Sequence, residues 1–88
     1  MTFTMRTPGG GRITVEVIPA GSKRNTRDER VKLYEWTCNA FFGQHGATFG
    51  KVEADSIEDA AERVRLTVNR RLNRKHAYEQ FHAKPQES

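Results

Sequence analysis

The chain has 88 residues, 35% of them hydrophobic and 30% charged, with a formal net charge of +4. A chain of this length makes one small domain with little core to spare. Its single cysteine, Cys38, excludes an internal disulfide, and no apolar run approaches the ~18 residues needed to span a membrane. The basic balance leans toward nucleic acid, an anionic surface or an acidic protein partner.

Met1 to Arg6 lacks the continuous apolar core of a signal peptide, so the expected location is cytoplasmic. Thr2–Arg6 alternates, with Phe3 and Met5 on one side, and reads as an edge strand. Pro8-Gly9-Gly10-Gly11 is a turn signal, and Ile13, Val15 and Val17 then alternate with polar positions as a half-buried strand. The two strands are expected to form a hairpin. Pro19 to Arg30 is polar and aperiodic, and reads as a mobile loop. Residues 31–42 form the longest strand candidate, with Tyr34, Trp36, Cys38, Ala40 and Phe42 on the more apolar face. Gly43-Gln44-His45-Gly46 reads as a hairpin turn, and residues 47–54 as the returning strand. Gly50 inside that strand marks a bulge or a close backbone approach.

Asp55 or Ser56 is then placed to cap a helix, each with an acid three residues on. At ~100° per residue, Ile57, Ala60, Ala61, Val64, Val68 and Leu72 share one stripe that faces the sheet. Beyond Leu72 the stripe is lost, and the helix either continues as a solvated arm through Tyr78 and Phe81 or frays. The predicted fold is α+β: an antiparallel three- to four-stranded β-meander packed on one long C-terminal helix. Residues 1–83 form the domain and 84–88 a disordered tail.

The helix is acidic at its start and basic at its end. No acidic side chain appears between Glu62 and Glu79, while Arg63, Arg65, Arg70, Arg71, Arg74 and Lys75 fall in that interval. Part of this polarity complements the helix macrodipole. Arg63, Arg70 and Arg74 nevertheless share one flank beside Thr67, with Arg71 and Arg65 on the edges of the apolar stripe. Arginines so placed are suited to gripping phosphates along a groove. Lys23, Arg24 and Arg27 form a second basic cluster in the loop. The outer sheet face offers Arg12, Lys32 or Lys51, Glu35, Thr37 and Asn39, depending on register. Leu66 lies opposite the core stripe, where it could serve a protein contact or simply be a lone exposed leucine.

Catalytic chemistry has no support in the spacing. His45, His76 and His82 include no pair at i, i+4, and no metal site is expected. Gly9-Gly10-Gly11 joins strands and does not lead into a helix, so it is not a phosphate loop. Neither an enzyme nor a cofactor is implied.

Trp36, the Gly43 to Gly46 turn, Phe49-Gly50 and Asp55-Ser56-Ile57-Glu58-Asp59-Ala60-Ala61 together resemble the AP2-like and integrase N-terminal DNA-binding type. The resemblance spans residues 34–71 and implies a sheet that enters the major groove with a helix behind it. The same segment is similar to double-stranded-RNA-binding-domain-like antitoxins, whose final helix opens in this way. The reading reached from the sequence is a small non-enzymatic protein that binds DNA or RNA. It would be an accessory or regulatory protein, of phage or mobile-element type, that contacts phosphates through Arg63, Arg70, Arg71, Arg74, Lys23, Arg24 and Arg27. The alternative is an antitoxin-like or inhibitor module docking on an acidic protein through its sheet or helix face. Oligomeric state is left open.

Overall fold

The computed structural model describes residues 1–83, so the expected tail at 84–88 lies outside the described residues. Four strands, β1 (Thr2–Arg6), β2 (Arg12–Arg24), β3 (Arg30–Cys38) and β4 (Phe49–Ala54), precede one helix, α1 (Ile57–Ala83). The strands form an antiparallel meander in the order β1-β2-β3-β4, and α1 covers one face. The α+β class read from the sequence is the class observed.

Register decides which side chains meet the helix. Val15 lies opposite Phe3 on β1 and Cys38 on β3, while Val17 lies opposite Trp36. Trp36 lies opposite Gly50, Tyr34 opposite Val52, and Lys32 opposite Ala54. Side chains alternate along a strand. The covered face therefore carries Ile13, Val15, Val17, Tyr34, Trp36 and Ala54, all buried. From α1 they receive Ala60, Val64, Val68 and Leu72, with Ile57 and Ala61 partly buried at its start. This is the stripe that the 3.6-residue period predicts.

The turns follow their residues. Gly10 adopts φ +95°, its N–H donates to the Thr7 carbonyl at 3.0 Å, and Thr7 N–H donates to the Gly11 carbonyl at 2.9 Å. Positive φ costs glycine nothing, so the β1–β2 hairpin closes there. At the helix start Ser56 is the cap: its Oγ accepts the Asp59 N–H at 3.1 Å.

Three expectations require correction. Residues 19–30 are not a mobile loop: β2 runs on to Arg24, β3 begins at Arg30, and the two pair as far as Arg24 opposite Arg30. The register shifts between Pro19 and Ser22, where proline lacks a ladder donor and Gly21 takes φ +94°. The tip is tied by Asn25, whose Oδ1 accepts the N–H groups of Arg27 and Glu29, both at 2.9 Å. Second, β3 ends at Cys38, and β2 is the longest strand. Third, Gly43–His45 is a 3₁₀ turn inside a longer β3–β4 connection, and not a tight hairpin. Phe42 lies in that connection yet is fully buried, and it closes the end of the core. The helix does not fray after Leu72; it continues to Ala83, with His45 edge-on to Tyr78 at 5.0 Å between ring centroids.

Candidate nucleic-acid interface

β4 runs toward the β2–β3 hairpin, and α1 then runs back toward the β1–β2 turn. One flank of α1 thus lies along the exposed edge of β4. Arg63 marks it, since it lines a shallow depression with Lys51, Val52 and Glu53 of β4 and Lys23 and Leu33 of the neighbouring strands. Arg70 and Arg74 follow on the same flank, two and three turns further on.

The expected arginines divide into three kinds. Arg63 donates from Nε to Asp59 Oδ2 at 3.2 Å, across one helical turn. Arg71 is half-buried. Its Nη1 donates to the Ala47 carbonyl at 2.5 Å and its guanidinium stands 5.3 Å from the centre of the Trp36 ring. Its aliphatic stem packs where a Gly46 Cβ would be, at 2.7 Å. Arg70 and Arg74 are exposed and make no ion pair among the described residues.

Of the second cluster, Lys23 bonds to Glu53 at 2.6 Å and Arg24 to Asp28 at 3.2 Å, while Arg27 is exposed with no ion pair among the described residues. Lys23 therefore joins Arg63 at one end of the flank. Arg24 and Arg27 sit at the hairpin end of the molecule, and Arg70 and Arg74 toward the other, within a long axis of 60 Å. The basic field is a line along one side, not a compact cluster.

Lys51 extends that line and was not singled out by spacing alone. It became legible once register placed it on the outer face opposite Glu35, while Lys32 turned to the helix side opposite Ala54. Asn39 is committed locally: its Oδ1 accepts the Thr14 N–H at 2.8 Å. The outer sheet face mixes signs, with Arg12, Lys23 and Lys51 beside Glu16, Glu35 and Glu53. Its apolar members are the partly buried Val31 and Leu33, and the exposed Ile18 and Phe49, at 45% and 65%.

Arg65 belongs to the opposite edge of the stripe. Its guanidinium donates to both carboxylate oxygens of Glu62, at 3.1 and 2.5 Å. That hydrogen bond holds the Glu62 carboxyl below its ordinary value and raises Arg65. Among the described residues no group of three His, Cys, Asp or Glu is placed to hold a metal ion, and no helix is long and apolar enough to cross a membrane. No protein-family model, curated protein or solved structure matches the chain.

Proposed function

We propose that this chain is a small non-enzymatic nucleic-acid-binding protein, an accessory or regulatory module of phage or mobile-element type. It grips phosphates along the β4-side flank of α1. The observation that carries this reading is the pair Arg70 and Arg74. They stand one turn apart, exposed, with Leu66, Thr67, Arg71, Asn73, Ala77 and Tyr78 as their other neighbours at three or four residues, none of them acidic. Like charges at i, i+4 cost about 0.2–0.5 kcal/mol in an isolated helix. A bound polyanion turns that cost into attraction, and nothing in the packing of the protein needs the two charges.

Arg63, Lys23 and Lys51 extend the track toward the hairpin, where Arg24 and Arg27 complete it. The ion pairs to Asp59, Glu53 and Asp28 are exposed, and such pairs contribute about 0–1 kcal/mol, so phosphate can displace them. Arg71 acts in this reading as a positioning residue, because its Nη1 already holds the Ala47 carbonyl and its guanidinium lies over Trp36.

Titration of labelled duplex DNA and duplex RNA by fluorescence anisotropy tests the reading. Phosphate contacts from the seven basic residues of the track predict a loss of roughly 10³- to 10⁴-fold in affinity between 50 and 200 mM salt. Absence of binding to either duplex at 50 mM salt overturns it. A second reading, a protein-binding module on an acidic partner, is favoured by the exposure of Phe49 and Ile18 on the open sheet face. It predicts that Phe49→Ala weakens binding to that partner more than Arg70→Ala does.

A further inference from the structure

β1 and β4 are the two edges of the sheet. The free side of β4 presents a row of backbone N–H and C=O groups with no strand beside them. Phe49, Lys51 and Glu53 point to the outer face, and Gly50, Val52 and Ala54 to the helix side. We propose that β4 pairs antiparallel with β4 of a second copy of this chain, about a two-fold axis through Val52, to form one continuous eight-stranded sheet.

The strand β4 is complementary to itself. Directly opposed side chains of an antiparallel pair lie on the same face, and a two-fold axis makes every contact occur twice. Centred on Val52, the pairing sets Lys51 opposite the partner's Glu53, and Glu53 opposite the partner's Lys51. On the helix side it sets Val52 against the partner's Val52 and Gly50 against the partner's Ala54, so no bulky side chain stands at the seam. Centring on Lys51 opposes lysine to lysine, and centring on Glu53 opposes glutamate to glutamate. Among positions within β4, only the Val52 register matches charges. Pairing β1 with itself about Thr4 sets Thr2 against Arg6 and matches none.

The two charges are also available. Lys51 makes no ion pair among the described residues, although Glu35 lies opposite it on β3. Glu53 bonds Lys23 through Oε2 and its side chain is 47% exposed, which leaves room for a second cation. The axis stands perpendicular to the sheet, so both helices lie on one side. The flanks with Arg63, Arg70 and Arg74 then face each other across the seam. Their repulsion opposes the dimer, and an anion between them relieves it. A six-residue strand buries little area, so the dimer is weak. It rests on the charges of β4 and not on the nucleic-acid reading.

Sedimentation equilibrium of the full chain from about 20 to 500 µM tests it. The unsubstituted chain should show a monomer–dimer equilibrium. K51E and E53K alone should each weaken it at least tenfold, since like charges then oppose across the axis. An equimolar mixture of K51E and E53K should associate again as a heterodimer, because one chain offers two acids at the seam and the other two bases. The double exchange K51E/E53K should dimerise like the unsubstituted chain. K51E sets an acid beside Glu35 and E53K a base beside Lys23, but these penalties are the same alone and mixed, so recovery on mixing is not a folding effect. A chain monomeric to 500 µM, a dimer unaffected by either single substitution, or a mixture that fails to associate overturns the proposal.

Discussion

Arg71 joins three parts of the molecule that are distant in sequence. Its charge lies over Trp36 of β3, its donor holds the carbonyl of Ala47, and its stem fills the space beside Gly46. A cation over an indole contributes about 0.5–1 kcal/mol and one hydrogen bond about 1 kcal/mol. Arg71→Ala should therefore lower unfolding stability by about 1–2 kcal/mol in urea titration. Arg71→Lys should recover little of it, because lysine lacks the planar fork that serves ring and carbonyl together. The surrounding sequence prescribes this role only in part. The 3.6-residue period puts Arg71 at the edge of the buried stripe, but only the path of residues 43–48 supplies its acceptor. Gly50 is the more legible case: a glycine inside a strand implies a close approach, and a Cβ there would stand 2.9 Å from the Trp36 indole nitrogen.

Glu62 gives a pH-dependent test at the same scale. Arg65 holds its carboxyl below the ordinary value of 4.5. A carboxyl whose folded value is depressed adds stability that is present above its unfolded value and is lost as pH falls through the folded one. Glu62 is fully exposed, so the effect on stability is small and NMR is the better readout. A carbon-detected titration should place Glu62 below 4.5, and Arg65→Ala should return it to about that value.

At the scale of elements, local chemistry was readable wherever one residue type has one mechanism. Asp55 and Ser56, each with an acid three residues on, predicted a helix start, and of the two it is the Ser56 hydroxyl that caps, accepting the Asp59 N–H. Ser56→Ala should cost about 1 kcal/mol, seen as a lower Tm in a thermal melt by circular dichroism. The triglycine turn was legible for the same reason, whereas the β3–β4 register was not, since it is set by the longer connection around Gly43–His45 and not by a tight hairpin turn. The β2–β3 hairpin was not. Its polar, charged residues carry no hydrophobic alternation, because beyond the core both faces of those strands meet solvent. The ladder is held there by backbone pairing and by the Asn25 side chain. Phe42 was assigned to a core-facing strand position; its burial follows, but from a connection whose shape no period predicts.

At the scale of the whole molecule, the core is thin and each large member counts. Phe42 is the largest fully buried side chain. Truncation of a buried phenylalanine costs about 3–5 kcal/mol, against a total of roughly 5–10 kcal/mol for a domain of this size. Phe42→Ala should leave the chain partly unfolded at 37 °C, measured by amide exchange across β3 and α1. The candidate interface is a property of this scale as well. The sequence places Arg63, Arg70 and Arg74 on one flank, but which side of the sheet that flank overlooks depends on how α1 lies on the strands. The arrangement strings Lys23, Lys51 and Arg63 together at one end and leaves Arg70 and Arg74 without acidic neighbours at the other. Arg71 is drawn inward, and Arg24 is held by Asp28.

Phosphate contact by the Arg70 and Arg74 flank is read out by the salt dependence of duplex binding in the Arg70→Ala/Arg74→Ala double variant. Both side chains are exposed, so the fold should be kept. Each phosphate contact adds about 0.9 to the slope of log affinity against log salt. The double variant should bind more weakly at 50 mM salt, with a slope shallower by about 1.8 than that of the unsubstituted chain. Equal affinity and an unchanged slope in the two proteins would contradict phosphate contact by this flank.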